Sequence, residues 1–141
     1  MIIGVPKEIK PQEYRIGLTP NSVKELVGYG HKVLIQKDGG FEAGFDDNEY
    51  ENCGGVIVDS AENIFNDAEL IIKVKEPLEN EVEMIRKDQI LFTYLHLAAA
   101  PKLTEGLIKS NSVCIAYETV TDTKNRLPLL APMSAVAGRM S

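Results

Sequence analysis

Short apolar, β-branched runs recur along the chain, and segments with helical periodicity fill the intervals between them. The runs Ile2–Val5, His31–Gln36, Gly55–Val58, Leu70–Lys75, Ile90–Tyr94 and Val113–Tyr117 predict strands. Between them, Thr19 caps a helix that opens on Pro20 and stops at Gly30. Ser60 caps a second helix running to about Ala68, and Asn80–Lys87 has the acidic start and basic end of a third. Pro101 opens a fourth helix with its stop signal at Asn111. This alternation predicts an α/β fold with a mostly parallel sheet and helices on both faces, in a three-layer arrangement of the flavodoxin-like or Rossmann-like kind. Asp38–Asn48, glycine-rich and without a clear period, is expected to be a surface loop. Ser134 reads as the N-cap of a last helix over Ala135–Met140. The sequence stops inside that helix, so the expectation is an N-terminal portion of a longer polypeptide, with a short terminal helix as the alternative.

Composition narrows the range of partners. With 44% hydrophobic residues the chain can bury a real core, which argues against disorder. Its 21 acidic against 15 basic side chains give a net charge of -6, which disfavours non-specific binding to nucleic acid or an anionic membrane. A small-molecule or protein partner is expected instead. The longest apolar stretches, such as Leu95–Ala100, are far too short to span a bilayer, and no basic region precedes a long apolar run at the N-terminus, so the expected location is cytoplasmic. Cys53 and Cys114 lie in apolar surroundings without ligand-spaced histidines, which predicts buried free thiols and no metal site.

In an open parallel sheet, ligands bind beyond the carboxyl ends of the strands, and three polar positions meet that condition. Arg15 lies in the loop after the first strand; its guanidinium suits a carboxylate, either a ligand's or that of nearby Glu13. Lys75 lies where the fourth run meets Glu76-Pro77, and alternation puts it on one face with Lys73, opposite Ile72 and Val74. A lysine there needs a counter-charge, either a substrate carboxylate or one such as Glu118. His96, just past the fifth strand, is placed for proton transfer near neutral pH or for a satisfied role in the core. No G-x-G-x-x-G follows a strand and opens a helix; Gly28-Tyr29-Gly30 closes a helix instead.

Several motifs, in order along the whole chain, resemble the alanine dehydrogenase family. They are MIIGVPKEIK at the start, E-x-R at Glu13–Arg15, L-T-P at Leu18–Pro20, IIKVKEPL at Ile71–Leu78, LFTYLHLA at Leu91–Ala98, AYETV at Ala116–Val120 and LPLLAPMSAVAGRM at Leu127–Met140. The resemblance implies an enzyme, commonly a homohexamer, that converts L-alanine, NAD and water to pyruvate, ammonium and NADH. It implies that Arg15 holds the substrate carboxylate, that Lys75 binds and polarises a substrate oxygen, and that His96 is the acid/base. Met133 would line the substrate cleft, Ser134 would lie near the nicotinamide, and Tyr94 and Glu118 would support the site. Residues 1–130 would form the substrate domain, and residues 131–141 would begin a helix leading to an NAD-binding domain absent from this chain. By itself the chain is therefore expected to be inactive. Ala135 departs from the family, which commonly has a glutamate there.

Two other readings remain open at this stage. The α subunit of nicotinamide nucleotide transhydrogenase shares the G-x-P-x-E opening but does not need Lys75 and His96, so that pair favours the dehydrogenase; saccharopine dehydrogenase resembles the motifs less. A non-catalytic module binding a small carboxylate is the reading from a different functional class.

Overall fold

The computed structural model describes residues 1–140. Six strands form one parallel sheet: β1 (Ile2–Val5), β2 (Lys32–Gln36), β3 (Val56–Val58), β4 (Leu70–Ile72), β5 (Ile90–Thr93) and β6 (Val113–Ala116). Their spatial order is β3-β2-β1-β4-β5-β6, the doubly wound order of Rossmann sheets rather than of flavodoxin. The helices are α1 (Pro20–Gly28), α2 (Asp47–Asn52), α3 (Ala61–Asp67), α4 (Glu79–Met84), α5 (Pro101–Ser110) and α6 (Ala131–Met140).

Each strand sends alternate residues to two separate cores, and this is what the period-two pattern encodes. Ile3, Val5, Val33 and Ile35 meet Val23 of α1 and Tyr50 of α2 on one face. Leu34, Ile71 and Leu91 meet Ile64 and Phe65 of α3 and Leu107 of α5 on the other. The helices are therefore on both faces, as predicted. Tyr50 is fully buried and donates its hydroxyl to the Leu18 carbonyl at 2.8 Å. Burial, with help from Glu49 and Asp47, pushes its phenol up to about 12.

Most helix signals operate as the sequence suggests. Thr19 Oγ1 accepts from the Ser22 amide, Ser60 Oγ accepts from the Asn63 amide, and Asn111 ends α5 in the left-handed region. Five expectations need correction. Asp38–Asn48 is not only a loop: Gly39 and Gly40 are buried, Phe41–Ala43 form a 3-10 turn, and α2 begins at Asp47. That helix is set by a reciprocal Asp46–Glu49 capping box, a D-x-x-E signal present in the sequence. The third predicted helix stops at Met84, because Arg86 turns back to donate to the Phe65 and Ala68 carbonyls. The last helix starts at Ala131, with the Ser134 amide donating to the Leu130 carbonyl at 3.1 Å, so Ser134 lies within the helix rather than capping it. Cys53 and Cys114 are free but only half-buried. Ser141, the end of the predicted interdomain segment, lies outside the described residues. Among the described residues, no helix is long and apolar enough to cross a membrane.

The regular strand β4 ends at Ile72, three residues before the predicted boundary at Lys75, although the Lys73 amide still donates to Phe92 of β5. Lys73 is 1% exposed, and its ammonium lies 2.8 Å from Glu8 Oε2 and 3.0 Å from Glu81 Oε2. Glu8 Oε1 also accepts the Val74 amide at 2.5 Å and the Lys75 amide at 3.4 Å. Glu81 Oε1 accepts the Leu78 amide at the start of α4. Three segments distant in sequence thus converge on one enclosed charge.

Two stability predictions follow from this packing. A Cβ on Gly4 would meet Ala68 Cβ and Ile64 Cγ2 at 2.7 Å, so Gly4→Ala should destabilise by about 1–3 kcal/mol. Gly28→Ala, with open space at its Cβ, should instead stabilise by roughly 0.5–1 kcal/mol in urea unfolding; equal shifts for the two variants would contradict this picture. Lys73→Met strands two buried carboxylates and should lower stability by about 3–5 kcal/mol. Adding Glu8→Gln and Glu81→Gln should recover part of that loss in denaturant midpoints, and a triple variant no more stable than the single one would show that charge burial is not the cause.

Candidate active site

The strand order reverses between β1 and β4, and the crevice beyond their carboxyl ends is where an open α/β sheet accommodates a ligand. The long connection from β1 to α1 passes directly over the end of β4. At Gly17 a Cβ would lie 2.6 Å from the Ile72 carbonyl oxygen, so a side chain is excluded at this crossing. Around it opens a cavity of about 460 Å³ lined by Arg15, Lys73 and Val74 from the strand-end segments, by Phe92, Tyr94 and Tyr117 from the β5–β6 side, and by Leu129.

Arg15 is the cation at this cavity. Its Nε donates to Glu13 Oε1 at 2.7 Å, and its Nη2 donates to Glu13 Oε2 at 3.2 Å. Nη1 lies 3.4 Å from the Met133 sulfur, which brings α6 to the loop after β1. Of the two partners the sequence allows, Glu13 is therefore present, while Arg15 also lines the cavity.

A row of rings leads from the sheet to His96. Phe92 meets Tyr117 edge-on at 4.2 Å, Tyr117 meets Tyr94 edge-on at 4.9 Å, and Tyr94 stacks with His96 at 6.4 Å and 18°. The Tyr94 hydroxyl donates to the Leu129 carbonyl at 2.5 Å. Burial, then the neighbouring Tyr94 and Glu8, pushes the Tyr117 phenol well above its ordinary range, so the hydroxyl stays protonated. His96 itself is exposed and takes the left-handed conformation at φ 50°. Glu118 holds that turn by accepting the His96 amide at 2.8 Å and the Leu95 amide at 3.1 Å. Partial burial pushes the Glu118 carboxyl up, but the amide hydrogen bonds outweigh it and leave the group below its ordinary value.

Lys75 is half-buried and does not line the cavity; its carbonyl accepts the Thr93 hydroxyl at 2.9 Å. Its ammonium makes no salt bridge among the described residues, although, opposing burial and alongside Lys10, its charge helps to lower the neighbouring Glu76 carboxyl. Glu118, committed to backbone amides, is not its counter-charge. Lys73 and Lys75 do not form the expected pair on one face: Lys73 is enclosed with Glu8 and Glu81, and it lines the cavity beside buried Val74. Ser134 is exposed on α6. Arg15 and Tyr94 thus share the cavity with Lys73 and Tyr117, Met133 joins Arg15 from α6, His96 and Glu118 are linked to the cavity through Tyr94, and Lys75 and Ser134 do not line it. The sequence carries a signal for Glu8, an acid immediately after the first strand, but none for the convergence of Glu8 with Glu81.

The family model for "Alanine dehydrogenase/PNT, N-terminal domain" matches residues 4–137. The alanine dehydrogenase of Halomonas elongata is 54% identical over the whole chain, and that of Bacillus subtilis is 50% identical. The chain spans 38% and 37% of the lengths of these two curated relatives. A solved L-alanine dehydrogenase superposes with a TM-score of 0.95 at 53% identity, covering 99% of this chain and 38% of that one. A transhydrogenase from Sinorhizobium meliloti, at TM-score 0.82 and 22% identity over 88% of this chain and 35% of its own, shares the fold. The chain matches the N-terminal part of alanine dehydrogenases at about half identity, and it belongs to the alanine dehydrogenase/PNT N-terminal domain family.

Proposed function

We propose that this chain is the substrate-binding part of a cytoplasmic, homo-oligomeric L-alanine dehydrogenase, which converts L-alanine, NAD and water to pyruvate, ammonium and NADH. The observation that carries this reading is the cavity at the switch point of the sheet, lined by Arg15 together with Tyr94, Tyr117 and Phe92, where a small carboxylate would be enclosed. Arg15 anchors the carboxylate. Lys75, half-buried just past the end of β4, binds and polarises a substrate oxygen. His96, steadied by Tyr94 and by the Glu118 bonds to its turn, exchanges protons through its imidazole. Met133 lies over the substrate, and Ser134 is directed to the nicotinamide side. Residues 1–130 are assigned to the substrate domain and residues 131–141 to the start of the segment leading to the NAD-binding part, with Met133 of α6 reaching Arg15 across that limit.

The described residues do not fit the pyrophosphate of NAD. A dinucleotide needs glycines between a strand and the helix that follows it. Gly39, Gly40 and Gly44 do lie between β2 and α2, but α2 has only six residues and opens on the carboxylates of Asp46, Asp47 and Glu49, which repel a phosphate, and Gly40 is packed against the Tyr50 ring. Gly30 and Gly54 precede strands, and Gly17 is packed against Ile72. Binding of the dinucleotide is accordingly assigned to a part of the enzyme beyond these residues, and the roles above are limited to holding the substrate and moving protons.

Calorimetric titration with pyruvate tests this reading. The chain should bind pyruvate, and Arg15→Ala and Lys75→Ala should each weaken binding at least about tenfold. Unchanged affinity in both variants would refute the carboxylate site. A pH titration tests the support given to His96. Because the Glu118 carboxyl is lowered in the folded state, its ties persist above the ordinary value of 4.5 and are lost only as pH falls through the lowered one. The Leu95 and His96 amide resonances should therefore titrate with a midpoint below 4.5, and Glu118→Gln should abolish that step; a midpoint at or above 4.5 would contradict the assignment.

A further inference from the structure

The guanidinium at the cavity is held before any ligand arrives. The Glu13 carboxylate takes its inner edge, with Nε at 2.7 Å from Oε1 and 3.3 Å from Oε2, and Nη2 at 3.2 Å from Oε2. Glu13 is the sheltered partner: its side chain is 7% exposed against 46% for Arg15. The turn that delivers it is built into the sequence. Pro11 and Gln12 occupy its centre, Gln12 is left-handed at φ 64°, and the Glu13 amide donates to the Lys10 carbonyl at 3.1 Å. Lys10 in turn pairs with Glu76, beside Lys75, so the turn is fastened to the same strand end that supplies the lysine.

A pair through Nε and one Nη2 proton leaves the second Nη2 proton and one Nη1 proton along the outer edge of the planar group, with the other Nη1 proton on the Cδ side. Nη1 has only the Met133 thioether at 3.4 Å, a weak acceptor that an incoming carboxylate outcompetes. Resting on the reading of Arg15 as the carboxylate anchor, we propose that Glu13 is its positioning residue. Glu13 clamps the inner edge so that the outer Nη1/Nη2 edge is presented to the cavity, and the ligand carboxylate displaces the Met133 sulfur to form a second bidentate pair on the same guanidinium. An arginine held in advance loses less rotamer freedom on binding, which favours the ligand even though Glu13 brings a second negative charge close by. If Glu13 were instead a competitor for the same donors, its removal would tighten binding, so the two roles differ in sign.

The test titrates pyruvate into the chain and into Glu13→Ala, Glu13→Gln and Arg15→Ala, and follows the Arg15 Nε–H resonance by NMR. Glu13→Ala should weaken pyruvate binding at least about fivefold, with Glu13→Gln intermediate because its amide oxygen still accepts from Nε. In the unaltered chain the Nε–H signal should persist when pyruvate binds, and in Glu13→Ala it should be lost to solvent exchange. Three outcomes overturn the proposal: tighter binding by Glu13→Ala, a lower unfolding midpoint with unchanged pyruvate affinity, or loss of the Nε–H signal on adding pyruvate to the unaltered chain. Equal affinity of the unaltered chain and Arg15→Ala would refute the anchor itself, and the role of Glu13 would fall with it.

Discussion

The enclosure of the Lys73 ammonium by two carboxylates is the constraint on which the rest of this structure depends. An unpaired charge at 1% exposure would not be tolerated, so Glu8 and Glu81 must both be in place once the sheet closes. Each has a second task. The other oxygen of Glu8 receives the amides of Val74 and Lys75, where the strand ladder has ended and those donors would otherwise be buried without partners. The other oxygen of Glu81 receives the Leu78 amide at the entry to α4. One electrostatic requirement thus fixes the loop after β1, the end of β4 and the start of α4 together. These are the segments that carry Arg15 and Lys75.

From this frame the site is assembled in two halves. The half on the β1 and β4 side is charged: Glu13, Arg15, Lys73 and Lys75 are joined through backbone and ion pairs. The half on the β5 and β6 side is aromatic, with Phe92, Tyr117 and Tyr94 in edge-on contact and His96 stacked at the end. A small ligand with a carboxylate at one end and an apolar remainder matches this division, because the charged end has a guanidinium and the remainder meets ring faces. The segment leading into α6 joins the halves, since the Leu129 carbonyl accepts the Tyr94 hydroxyl and Met133 reaches Arg15.

Much of this was legible in the sequence. The six strands, the caps at Thr19 and Ser60, the stop at Asn111 and the two-sided covering all follow from local signals, because period and capping are encoded within a few residues. Arg15, Tyr94 and His96 could be placed because strand ends identify themselves. Other features were not legible, because they depend on non-local encounters or on local signals that compete. The shortening of β4 comes from Glu8 taking over the amides of Val74 and Lys75, sixty-six and sixty-seven residues away. Lys73 and Lys75 are equivalent by alternation, and the ion pairs of Lys73 with Glu8 and Glu81 distinguish them. The helix α2 was hidden by the neighbouring glycines, although its capping box was present. The order of strands, which separates the Rossmann from the flavodoxin arrangement, has no signature in the alternation of elements.

The turn at His96 places local stability and chemistry in opposition. A residue with a side chain in the left-handed region bears a backbone penalty of about 1 kcal/mol or more that glycine would escape. The amide bonds to Glu118 offset that penalty, so the fold keeps an imidazole where a glycine would relax the chain. Selection for thermal robustness alone would therefore drift toward glycine at this position and remove the imidazole without disturbing the sheet. Substitutions that stabilise this turn cannot be assumed neutral, and a survey of tolerated residues at position 96 would record which of the two demands has been stronger.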